Sequence, residues 1–221
     1  FGFATLGANT FTATQTIDTG NLDLDASTAT TGNITKNGSP FLHNFGTANT
    51  FVGANAGNLT MTGQSNMATG TNALSANNTG NFNTAGGVSA LSSNLTGSDN
   101  TADGYRALVG NTTGFRNTAI GREAMAINIG GNNNTAVGAN ALENNTSAFY
   151  NTAVGSVTLR NTTTGDFNTA IGGQALYQNN TGQGNTATGF NALEATTGSN
   201  NIGVGRSAGL SSTNGSNNIY L

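Results

Sequence analysis

The sequence predicts an all-β protein, a parallel β-roll (β-solenoid) of 17-residue coils. Three observations carry that prediction. A five-residue phrase, typified by Asn134-Thr-Ala-Val-Gly138, returns with its Asn at 49, 66, 83, 100, 117, 134, 151, 168, 185, 201 and 218. Every step is 17 residues except the 16 from Asn185 to Asn201. A period held that strictly, just below the usual 20-to-50 range, marks a solenoid in which one repeat is one coil. Finally, Gly, Asn and Thr dominate and nothing recurs every 3.6 positions, which argues against helix.

Residues 1–48 form a separate β-rich region, made of shorter coils or wrapping strands. Asn9, Asn21 and Asn33 lie 12 apart, and each opens a short run: Thr10-Phe11-Thr12, Leu22-Asp23-Leu24 and Ile34-Thr35-Lys36. Alternation of period two, bounded by Gly and by the turn pair Asn37-Gly38, reads as strand. Pro40-Phe41-Leu42-His43 is the junction into the regular array, residues 49–221.

In each coil of that array the Asn (Asn134, Asn151) opens a strand whose third position is Ala (Ala136, Ala153). Only the outermost copies differ there, with Phe51, Gly203 and Tyr220. A glycine (Gly138, Gly155) closes the strand. Two variable residues follow, then Ala-Leu, as in Ala73-Leu74 and Ala141-Leu142, then an Asn/Thr turn ending on a second glycine such as Gly80, Gly114 or Gly165. This reads as two short strands and two turns, with both glycines at corners that require φ > 0.

Strand alternation places the fixed Ala between two sheets and turns Thr and the aliphatics Val137, Val154 and Ile171 outward. A row of aliphatics is out of place on the outside of a lone chain. Branched aliphatics also look too few to offset the ordering of the backbone. Packing the Val/Ile and Leu rows of several chains around one axis would supply the burial, and a homotrimer is the expected assembly. Stacking in register sets Asn over Asn and Thr over Thr, so their side chains are expected to form hydrogen-bonded ladders. Ten or eleven coils would make a rod section about 50 Å long.

Composition excludes other classes. The chain has 33 Gly, one Pro, no Cys and only 7% charged residues. That composition fits a disordered low-complexity tract, but Val, Ile and Leu return at fixed phase, which disorder does not require. A net charge of −3, with six scattered basic residues, leaves no footprint for nucleic acid. No apolar run approaches a membrane span, so no insertion of this chain is expected. Phe1 is not an initiator Met, which points to a processed chain or a fragment. An N-terminal Phe fits a type IV pilin, but the apolar helix that should follow is missing.

Catalytic chemistry has little to draw on. His43 is the only histidine and reads as a packed or turn-capping residue. Asp99, Asp103 and Arg106 make the best polar cluster, with Asp103 in a Val/Ile position; Asp103 is expected to make an ion pair with an Arg or to sit beside water or an ion on the fibre axis. The glycine-rich stretches lack the spaced Asp of calcium-binding β-rolls, so neither a metal nor a cofactor is expected. Asn-x-Ser/Thr triplets at Asn77, Asn94, Asn111 and Asn179 arise from composition, with glycosylation the minority reading. The residues after the strand glycine vary most, and Tyr105, Arg106, Arg122, Phe190 and Arg206 are the candidate surface contacts.

At these residues the sequence resembles known repeat families. Asn-Thr-Ala-Val-Gly followed by Ala-Leu is similar to the repeats in head domains of trimeric autotransporter adhesins. The turn from Asn111 to Gly114, the lead-in from Pro40 to Gly46 and the closing Ser216-Asn-Asn-Ile-Tyr-Leu221 resemble repeat regions of phage-tail-type fibre proteins, which precede a self-cleaving intramolecular chaperone. The resemblance covers roughly residues 40–221. It implies a left-handed roll, three chains side by side, an extracellular, cell-surface or virion fibre, and adhesion to a surface glycan or protein. Neither a coiled-coil stalk, a membrane-anchor barrel nor a chaperone domain follows in this chain.

Two functions are therefore expected. The first is a non-catalytic structural and adhesive fibre segment. The second is ice binding through the Thr column at 84, 101, 118, 135, 152, 169 and 186. End-to-end assembly is also expected: Phe1, Phe3 and Phe11 at one end and Ile219, Tyr220 and Leu221 at the other offer exposed apolar groups beside unpaired strand edges. Cleavage, truncation or continuation by another molecule would explain a chain that stops within a coil.

Overall fold

The structure, a computed structural model, describes residue 28, residues 32–36 and residues 38–221. Two strands precede the array: β1 (Ile34–Lys36) and β2 (Ser39–His43). The array then contributes one strand per coil: β3 (Thr50–Val52), β4 (Met67–Thr69), β5 (Thr84–Gly86), β6 (Thr101–Asp103) and β7 (Thr118–Ile120). It continues through β8 (Thr135–Val137), β9 (Thr152–Val154), β10 (Thr169–Ile171), β11 (Thr186–Thr188), β12 (Ile202–Val204) and β13 (Ile219–Tyr220). Among the described residues these form one sheet in sequence order. From β3 onward the pairing is parallel and in register, so that Ala136 lies between Ala119 and Ala153. The fold is a parallel β-solenoid with 17-residue turns.

β1 and β2 pair antiparallel, with Gly38 (φ +76) in the turn between them. β2 in turn pairs antiparallel with β3, Leu42 facing Val52 and His43 facing Phe51. The hairpin thus occupies the edge of the first coil, where a parallel neighbour stands in every later one. The runs at Thr10 and Leu22 lie outside the described residues.

The second arm of the coil departs from expectation. The Ala-Leu segment is a chain of turns, and the second strand is absent. In the coil opened by Asn134, Gly138, Asn140, Leu142 and Tyr150 have φ of 136°, 57°, 49° and 57°. Left-handed residues on both sides of Ala141 curl the backbone where a strand would extend it. A left-handed leucine costs about 1–2 kcal/mol, and full burial of its side chain returns about 1.5–3 kcal/mol. Leu142 is fully buried, and burial wins. Hydrogen bonds between coils continue around this arm regardless, as from Leu142 N to Thr158 O (3.0 Å) and from Thr146 N to Thr163 O (3.1 Å).

The two glycines act differently. Gly138 has φ +136, and a Cβ there would also meet the Gly155 carbonyl at 2.4 Å. The second glycine is not in the positive-φ region. At Gly114 the reason is space: a Cβ would sit 2.3 Å from Asn111 Oδ1 and 2.5 Å from Gly131 O. Ala148 holds this position in one coil. The following coil carries Thr162 in the column that is otherwise Asn from Asn77 to Asn179, so the next-coil amide, which at Gly114 is Asn128 Nδ2 at 2.7 Å, is missing beside the methyl.

The core lies inside the coil stack of the single chain. Rows of Ala (Ala68 to Ala187), a second Ala row (Ala73 to Ala192) and the Leu/Met row from Leu74 to Leu193 form one buried cluster. Two columns of buried Asn complete it. Asn134 Oδ1 accepts from the Asn151 backbone N–H (2.9 Å). Its Nδ2 donates to Ala148 O (2.8 Å) and to Asn117 Oδ1 (3.2 Å). In the other column Asn128 Nδ2 donates to Asn111 Oδ1 (2.7 Å) and to Gly131 O (3.1 Å). Asn117 donates to the same Gly131 carbonyl at 2.7 Å, so the two ladders share an acceptor. A buried amide is tolerated only when so paired. This corrects the expectation that the Leu row serves a second chain: the row is consumed within the first.

Candidate functional surfaces

The outer face of the sheet carries two parallel columns. One is Thr118, Thr135, Thr152, Thr169 and Thr186, all half-buried and each in register with the next. The other is Ile120, Val137, Val154 and Ile171, ending on Thr188. Val154 is 36% exposed and Ile171 45%. The alternation reads correctly from sequence: Ala inward, Thr and aliphatics outward. Gly86 and Asp103 interrupt the aliphatic column toward the N-terminal side.

Among the described residues Asp103 joins no ion pair. Arg106, at φ +56 on the next corner, reaches Glu123 instead (3.8 Å), and Glu123 also binds Arg122 at 2.9 Å. The ion pair of Arg106 is thus made with Glu123 on the neighbouring coil and not with Asp99 or Asp103. Among the other corner residues, Arg206 lies over the Phe190 ring at 6.0 Å, and Tyr105 is exposed. Arg160 binds Glu143 at 2.6 Å, and that hydrogen bond raises its guanidinium above the ordinary value.

His43 is a packing residue. Its Nε2 donates to Ala56 O at 2.7 Å, its Nδ1 accepts from the Phe45 N–H at 3.4 Å, and its ring lies 4.9 Å from that of Phe51. Burial pushes the imidazole below its ordinary 6.5, and the bond to Ala56 offsets part of that. A shallow cavity of about 210 Å³ beside it is lined by Pro40, Asn55, Asn58 and Leu59, among others.

Asn77, Asn94, Asn111 and Asn179 are fully buried, which removes them as glycosylation acceptors in the folded chain. At the C-terminal side, Tyr220 differs from the exposed apolar group expected. Its ring packs on the core and its hydroxyl donates to Ser212 Oγ at 3.0 Å, while Ile219 and Leu221 are exposed. Phe1, Phe3 and Phe11 lie outside the described residues.

Sequence reasoning missed one group. Phe149, Tyr150 and Phe167 form an exposed aromatic cluster. Tyr150 and Phe167 stack with centroids 5.5 Å apart and planes 8° from parallel, and Phe149 stands edge-on to both at 5.8 and 5.4 Å. The signal was there to be read, since Tyr150 and Phe167 are one 17-residue step apart. Among the described residues no group of His, Cys, Asp and Glu could hold a metal ion, and no helix is long and apolar enough to cross a membrane.

These features define a β-solenoid repeat protein. Beyond that class, no protein family, curated protein or solved structure matches the chain.

Proposed function

We propose that this chain is a non-catalytic, structural and adhesive segment of an extracellular fibre, associating with itself as a homotrimer and attaching through its outer surface to a glycan or protein. One observation carries the reading: Ile120, Val137, Val154 and Ile171 line up in register on an exposed sheet face. The chain's own core is already closed by Ala, Leu and Asn rows. The exposed column therefore adds nothing to the single chain, and self-association would take it out of water. With the Leu row occupied, the sheet faces alone would build the shared interior. The only histidine packs at the first coil, its Nε2 bonded to Ala56 O, which supports a non-catalytic reading.

Light scattering at low micromolar concentration should report the mass of three chains. Val154→Asp should dissociate them by placing an unpaired charge in the interior, while circular dichroism stays unchanged. The natural Asp103 in the same column supports the second expectation, since a carboxylate there fits the coil. A folded, monodisperse monomer would overturn the trimer.

Ice binding is the second reading, favoured by the unbroken Thr column over seven coils from Thr84 to Thr186. Its hydroxyls would repeat about every 4.8 Å on a flat face. A trimer occludes that face, so inhibition of ice recrystallisation by a monomer, lost in Thr152→Tyr, would replace the fibre reading.

A further inference from the structure

The cluster of Phe149, Tyr150 and Phe167 makes no contribution to the core, yet it is held in an unfavourable conformation. Tyr150 and Phe167 have φ of 57° and 58°, and both are 56% exposed. A left-handed aromatic residue costs about 1–2 kcal/mol. The coil imposes that conformation on the whole column, at Ser65, Asn133, Gly184 and Asn200 as well, but those residues show that it does not require an aromatic side chain there. Two rings on left-handed backbone and Phe149 beside them thus stand outside the core, where the coil itself makes no use of them.

Asp166 supplies a second, independent observation. It is buried, and its Oδ1 accepts the Phe149 backbone N–H at 2.9 Å. In other coils a neutral amide accepts the equivalent N–H, Asn132 from Phe115 (2.9 Å) and Asn81 from Gln64 (2.8 Å). The carboxylate is thus more than the coil needs, and it stands beside the rings.

The shape of the cluster narrows the ligand. The rings touch one another in stacked and edge-on pairs, leaving no box between them for an ammonium head. Three half-exposed aromatic side chains offer roughly 300 Å², well short of the about 800 Å² that each partner of a standard protein interface contributes. A small flat aromatic surface with an acceptor at its edge suits a pyranose, whose C–H face packs on a ring while its hydroxyls donate to a carboxylate.

From these contacts we infer that Phe149, Tyr150, Phe167 and Asp166 form a saccharide-binding site for neutral, equatorially substituted pyranoses. The site rests on the adhesive reading and names its ligand class.

Cellohexaose and chitohexaose are the probes, with saturation-transfer NMR and calorimetry as readouts. At least one should bind the intact chain, with transfer from aromatic protons. The triple variant Phe149→Asn, Tyr150→Asn, Phe167→Asn should lose affinity at least tenfold with no fall in thermal midpoint, since Asn132 and Asn133 hold the same places one coil away. Phe82→Asn, also left-handed and exposed but outside the cluster, should bind as the parent does. Asp166→Asn keeps the bond to Phe149 and should weaken binding severalfold. Failure of both probes to bind the parent at millimolar concentration, or equal binding by the triple variant, overturns the site. Attachment to cells separates the two readings. If parent and triple variant attach equally, the saccharide site falls and adhesion stands; if the parent binds sugar but attaches to no cell surface, adhesion falls and the site stands.

Discussion

Phe51 fills the space that Gly57 leaves: a Cβ built on Gly57 would lie 2.6 Å from the Phe51 ring. In the coils opened by Asn66 through Asn185, the Phe51 position is Ala and the Gly57 position is Leu or Met. The large and small residues have changed places across the coil interior. At the other side of the array the complement runs between coils: Gly203 and Gly209 are both small, and a Cβ on Gly209 would lie 2.7 Å from the ring of Tyr220 in the next coil.

The exchange is testable as a double-mutant cycle. Phe51→Ala should cost about 3–5 kcal/mol by leaving a cavity, and Gly57→Leu about 1–3 kcal/mol or more by overpacking. Together they restore the pattern of the inner coils, and Gly57 (φ +68) already has the backbone that Leu74 (φ +52) adopts. Chemical denaturation should find the double variant at least about 2 kcal/mol better than the sum of the singles. Additive losses would mean that the two residues do not share a space.

The amide ladder is the next point of test. Asn134→Ala removes three hydrogen bonds, strands the Asn151 N–H and leaves the Ala148 carbonyl with only the longer bond from Asn145 Nδ2 (3.3 Å). The expected loss is about 3–5 kcal/mol. Asn134→Asp should be as damaging at pH 7, because a carboxylate cannot donate to Ala148 and is buried. Burial raises the folded pKa of such a group above the unfolded value. Its stability is therefore present below the unfolded value and lost as pH rises, so the variant should regain ground against the parent at pH 4.

His43 sets a pH dependence of opposite sign. Burial lowers its folded pKa below 6.5, so the neutral form is favoured in the fold. The stability of the hairpin cap is fully present above the unfolded value and is lost as pH falls through the folded one. Hydrogen-exchange protection of Gly53, whose N–H binds Phe41 O at 2.7 Å, should drop below about pH 6. His43→Gln should abolish that dependence.

Coils should be removable as whole units. Deleting residues 100–150 takes out three periods and joins Asp99 to Asn151, so every column still stacks like on like. The fold should persist, with the rod about 14 Å shorter by small-angle scattering. Deleting residues 100–141 removes a non-integral number of periods and sets Leu142 in an Asn column. That variant should fail to fold.

The sequence by itself determined the repeat and its chemistry. Stacking at a fixed 17-residue step brings each residue against its own counterpart, so a column such as Asn117, Asn134 and Asn151 reads as a ladder from the spacing alone. The same logic placed Ala136 inside and Val154 outside, because a strand alternates and Ala alone fits the narrow side. Three things were decided only by the tertiary structure. Leu142 adopts φ +49 against its own propensity, because burial inside the coil outweighs the local strain. Gly114 is required by the buried Asn amides and the carbonyl crowded around it, and not by its own φ. Whether the Leu row served its own chain or another depended on the cross-section of the coil. That cross-section follows from the left-handed turns at Asn140, Leu142 and Tyr150, which local propensity does not favour and only the closed circuit imposes.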